Sequence, residues 1–99
     1  MIINVGRPSV QLRVVLRQVG YSEFNDPRRG QVSFVRRLGR LFYPRFHLYV
    51  DEQPTQLRLN LHLDQKQPSY AGSHQHSGEY DGPLVEQEAE RIKSFFPPR

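Results

Sequence analysis

Polar and apolar residues alternate most regularly in "TQLRLNLHLDQK". Leu57, Leu59, Leu61 and Leu63 point to one side of an extended chain there, and Arg58, Asn60, His62 and Asp64 to the other. "FYPRFHLYVDE" repeats the pattern once past Pro44, with Phe46, Leu48 and Val50 opposite Arg45, His47 and Tyr49. The short connection 51–55, which contains Pro54, makes the two strands antiparallel neighbours. Upstream, "YSEFNDPRRGQVSFVRRL" reads as two extended runs, about 21–25 and 31–38, joined by the turn residues Asn25, Asp26, Pro27 and Gly30.

The ends of the chain carry a different period. In "RPSVQLRVVLRQVGY", Leu12, Val15, Leu16 and Val19 form a helical stripe, while Val10, Leu12, Val14 and Leu16 alternate like a strand. Ser9 as N-cap and Gly20 as a left-handed terminator favour a helix over 9–19, with a strand as the alternative. "GPLVEQEAERIKSFF" predicts a second helix, with Pro83 in the first turn and Val85, Ala89, Ile92 and Phe96 on one stripe. Its glutamates lie early and Arg91 and Lys93 late, as the helix dipole favours, and the prolines of "PPR" stop it. The expectation is one α+β domain over 1–99, in the order α-β-β-β-β-α, with an antiparallel sheet and the helices packed on one face of it.

Composition narrows the chemistry. Ninety-nine residues support one modest core, and the 36% hydrophobic content is that of a globular chain. The absence of cysteine removes disulfides, thiolate metal sites and cysteine nucleophiles together. Without a leader pattern or a long apolar run, the expected location is the cytoplasm, with no membrane partner. The net charge of +4 hides an asymmetry: arginines dominate residues 1–50, and acidic residues outnumber basic ones over 51–99. A basic half suits nucleic acid or another polyanion, and it also suits pairing with the acidic half.

The polar faces of the two regular strands should merge, because neighbouring strands lie about 4.8 Å apart. Arg45, His47, Tyr49, Arg58, Asn60, His62 and Asp64 then form a patch of residues that bind and exchange protons as well as dissolve. Beyond it lies "PSYAGSHQHSGEYDGP", residues 68–83, a connection long enough to suggest a function. Folded across the polar face, it would bring His74 and His76 to His62 and Asp64, with His47 nearby and Glu79 or Asp81 as a further oxygen. That set suits a divalent metal such as zinc. Ser69, Ser73 and Ser77 lack a nucleophile elbow, and Gly72, Gly78 and Gly82 lack the lysine of a phosphate-cradling loop.

The hairpin region adds Arg28, Arg29, Arg36, Arg37, Arg40 and Arg45 among Phe34, Phe42, Tyr43 and Phe46, a mixture of phosphate-pairing guanidinium groups and stacking rings. With Tyr49 and Arg58, these arginines predict a non-enzymatic binding module for an anionic partner, nucleic acid first. The alternatives are the His/Asp metal site, hydrolytic or not, and a protein-interaction domain. "FVRRLGRLFYPRFHLYV", "LNLHLDQKQPSY" and "HSGEYDGPLVEQEAERI" resemble a type of small bacterial protein over roughly residues 33–93. That resemblance implies no site residue.

Overall fold

A computed structural model describes residues 1–26, 31–65, 78–79 and 81–99, apart from the side chains of 26, 31, 78 and 79. The elements are β1 (Ile2–Gly6), α1 (Leu12–Val19), β2 (Ser22–Asp26), β3 (Gln31–Arg37), β4 (Arg45–Glu52), β5 (Gln56–Asp64), β6 (Gly78–Glu79) and α2 (Pro83–Lys93). Five strands form one antiparallel sheet in the order β1-β5-β4-β3-β2, and the two-residue β6 pairs with β5. The order α-β-β-β-β-α is therefore corrected: a strand precedes α1 and a short one precedes α2. Among the described residues, no helix is long and apolar enough to cross a membrane.

The helical stripe wins in α1. Val15, Leu16 and Val19 are buried, whereas Val10 and Val14, which a strand would have turned inward, are exposed. Gly20 closes the helix at φ 104°, a left-handed conformation that costs glycine little, and its N–H bonds the Arg17 carbonyl. Ser9 does not cap it. The helix starts at Leu12 with Gln11 in the N-cap position and no side-chain cap. In α2 the expected residues Val85, Ala89, Ile92 and Phe96 are all buried. They share one apolar cluster with Val15, Leu16, Val19, Leu48 and the four leucines of β5. Burial of each such leucine is worth about 1.5–3 kcal/mol.

β1 joins this core by pairing Ile3 with Leu59 and Val5 with Leu57. Its last residue, Gly6, donates its N–H to the Pro97 carbonyl at 2.7 Å, so the segment after α2 lies directly against the strand. A Cβ at Gly6 would collide with the backbone carbonyl oxygens of Pro97 and Pro98. Gly6→Ala is therefore expected to cost about 1–3 kcal/mol, the usual range for overpacking. Thermal unfolding measures this, and an unchanged midpoint would show that the proline segment yields without cost.

A second set of contacts ties α2 to the rest. Glu88 is buried on the stripe of Val85, Ala89 and Ile92. Its Oε2 accepts from the Tyr21 hydroxyl at 2.6 Å, and Arg91 donates Nε to Oε1 at 2.8 Å and Nη2 to Oε2 at 2.9 Å. Arg36 of β3 reaches Oε1 at 3.4 Å, and Arg91 also holds the Val19 carbonyl at the end of α1. Burial opposes ionisation of Glu88, but the Arg91 and Tyr21 hydrogen bonds and the nearby guanidinium charges outweigh it and hold the carboxyl below its ordinary value.

Candidate functional site

The β4–β5 register pairs Arg45 with Asp64, His47 with His62, Tyr49 with Asn60 and Asp51 with Arg58. Directly paired residues share a face, so these side chains stand opposite the leucines. The face is not a uniformly solvated one. Arg45 and His47 are 4% exposed and His62 is 8% exposed, while Arg58 lies in solvent.

Asp64 is the centre of the buried part. Its Oδ2 accepts from Arg45 Nε at 3.1 Å and lies 3.0 Å from His47 Nδ1, and its Oδ1 lies 2.9 Å from His62 Nε2. Burial alone would raise the Asp64 carboxyl, and the hydrogen bonds from His47 and His62 more than reverse that, so it is held well below the usual carboxylate range. On its other nitrogen, Nε2, His47 meets the hydroxyl of Ser33 at 2.7 Å. Ser33 sits on β3 with no exposed surface, and its Oγ is also 3.3 Å from the Phe24 carbonyl of β2. Ser33–His47–Asp64 thus runs hydroxyl to imidazole to carboxylate across three strands. A nucleophile must meet its substrate, and this hydroxyl is enclosed.

Rings surround the polar groups. His47 stacks on Tyr49 at 4.5 Å between centroids, and Tyr49 stacks on His62 at 5.6 Å. The Arg45 guanidinium lies 4.6–4.7 Å from the ring centres of Phe24, Phe42 and Tyr43. Its Nη1 is buried with no hydrogen-bond partner among the described residues. A guanidinium tolerates this because its charge is delocalised and attracted by ring faces.

Of the residues expected to hold a metal, His62 and Asp64 stand 2.9 Å apart, and His47 is the third ligand-bearing residue beside them. His74 and His76 lie outside the described residues. The chain returns to the sheet at β6, where Gly78 pairs with Asp64 and Glu79 with Leu63, and Asp81 is exposed. Of the expected anion-binding set, Arg45 is enclosed against Asp64, and Arg36, one-third exposed, is engaged with Glu88. Arg37, Arg40 and Arg58 are exposed, Tyr49 is half-buried, and Arg28 and Arg29 lie outside the described residues. Ser33 and Glu88 escaped the reading of the sequence. Glu88 carried a signal, since it falls on the apolar stripe of its helix, whereas Ser33 in "QVSFV" carried none.

Fold and site together define a small α+β protein with a His/His/Arg cluster, buried around a partly exposed Asp64, on the sheet face opposite its leucines. Set against protein-family models, curated proteins and solved structures, the chain matches none.

Proposed function

We propose that the chain is a non-enzymatic binding module for an anionic partner, nucleic acid first, with helices α1 and α2 covering the leucine face so that the opposite face and its rim meet the partner. The observation that carries this reading is the rim formed by the end of β3 and the β3–β4 connection. Arg37 stands 5.2 Å over the ring of Phe42, which is 43% exposed, and Arg40 is exposed beside Leu41. Exposed guanidinium groups backed by a ring suit a single strand, since phosphates pair with the charge and bases stack on guanidinium planes as well as on rings. Arg58, exposed on the same face, lies further along β5 opposite Asp51.

In a mobility-shift titration with a single-stranded oligonucleotide, affinity should fall steeply with salt. Arg37→Ala and Arg40→Ala each remove one phosphate-pairing guanidinium, and each should flatten the logarithmic salt slope by about 0.7. No binding at low ionic strength, or an unchanged slope in both variants, would remove the reading.

A further inference from the structure

We infer that His47, His62 and Asp64 form a binding site for a divalent first-row transition ion, held by Nδ1 of His47, Nε2 of His62 and one oxygen of Asp64. The three donor atoms lie within 4.8 Å of one another. Ligands on a tetrahedral ion with bonds near 2.0–2.1 Å stand about 3.3 Å apart. His47 Nδ1 lies 3.0 Å from Oδ2 of Asp64, and His62 Nε2 lies 2.9 Å from Oδ1. Inserting the ion therefore asks those donors to part by a few tenths of an ångström. The remaining spacings, all within 4.8 Å, close to the tetrahedral value by rotation of the side chains and of the Asp64 carboxylate, on a backbone whose β4–β5 register already sets His47 opposite His62.

The surroundings of His47 are those a metal-binding imidazole needs. A ligating histidine carries its remaining proton on the other ring nitrogen and donates it to a fixed acceptor. For His47 that nitrogen is Nε2, and Ser33 Oγ waits 2.7 Å away. With Nδ1 turned to the Asp64 carboxylate, the Ser33 hydroxyl donates to Nε2. With Nδ1 turned to a metal ion, the ring keeps its single proton on Nε2 and donates it to Ser33, whose own proton turns to the Phe24 carbonyl at 3.3 Å. Ser33 thus serves either tautomer without stranding a buried polar group. Arg45 fixes the carboxylate from the far side through Oδ2, which leaves Oδ1 toward His62. His62 and Asp64 form the more open end of the cluster, with side chains 11% and 16% exposed, and that is where an ion enters.

Two nitrogens and one oxygen without sulfur suit zinc, nickel, iron or manganese rather than calcium or copper(I). Three protein ligands leave at least one coordination position for water or a small anion. The site adjoins the Arg37–Phe42 rim through Arg45, which reaches both Asp64 and the Phe42 ring, but its donors are other residues than Arg37 and Arg40, so different variants test oligonucleotide binding and metal binding.

The test is a titration of chelator-treated protein with zinc chloride, followed by nitrogen-15 NMR of the histidine rings. About one equivalent should bind, the His47 and His62 resonances should shift, and His47 should change from the Nδ1–H to the Nε2–H tautomer. His62→Gln and Asp64→Asn should each weaken zinc binding at least tenfold. Ser33→Ala, which keeps all three ligands, should weaken it by about 10–100-fold, the usual effect of removing an outer hydrogen-bond partner. The proposal is overturned if zinc, nickel and manganese all leave His47 and His62 unmoved, or if the shifts are confined to His74 and His76. Full affinity in Ser33→Ala would overturn the role given to that hydroxyl.

Discussion

Glu88→Ala is expected to lower the unfolding free energy by about 3 kcal/mol, the low end of the cost of breaking a buried ion pair. The carboxylate is the common acceptor for Tyr21, Arg36 and Arg91, which come from three separate parts of the chain. Its removal leaves the Tyr21 hydroxyl, itself buried, without the partner that it holds at 2.6 Å. The cost stays near the low end because the Arg36 and Arg91 side chains are about one-third exposed and recover water. For a domain of this size the melting midpoint should drop by about 15 °C. Acid separates the charge from the packing. Because the folded carboxyl is held below its unfolded value of about 4.3, its contribution is complete above that value and fades as pH falls through the folded one. The stability gap between wild type and Glu88→Gln should therefore be widest above pH 5 and narrow steadily below about pH 4. A gap independent of pH would assign the effect to shape alone.

Arg45→Ala should be of similar or greater size, about 3–5 kcal/mol, because Asp64 loses its permanent cation and the enclosure formed by Phe24, Phe42 and Tyr43 loses its contents. Arg45→Lys is the informative companion. It restores the charge without the planar group that lies against three rings, so it should recover only part of the loss. Denaturant unfolding of the three proteins measures both steps, and near-ultraviolet circular dichroism reports whether Tyr43 keeps its surroundings. Full recovery by lysine would mean that the rings add nothing beyond shape. Wild-type stability in Arg45→Ala would mean that the two histidines suffice to hold Asp64.

The leucine alternation of β5, the facing alternation of β4 and their short connection made the central hairpin and its polar face readable in advance, since a period of two is a local property. Gly20 and the stripe of α2 were legible for the same reason. What the sequence withheld depends on partners far along the chain. "IINVG" is too short to identify itself, and it becomes a strand because β5 offers an edge with leucines opposite Ile3 and Val5. Arg45 looks solvent-seeking beside Pro44, and it is enclosed because rings from positions 24, 42 and 43 converge on it. His62 and Asp64 could be named together from their spacing of two. His47 could be placed no closer than nearby, and Ser33 not at all, because the β3–β4–β5 register decides which nitrogen meets which oxygen.

The position of β1 sets an order of events for the growing chain. Ile3 and Val5 are made well before their partners Leu59 and Leu57, and Gly6 waits for Pro97. Such distant pairing makes folding slow relative to helical proteins of equal length. Until β5 is made, Ile3 and Val5 lack the leucines that cover them in the folded sheet. The meander β2–β3–β4–β5, joined by local connections, can assemble first, and β1 then closes the sheet as its final edge.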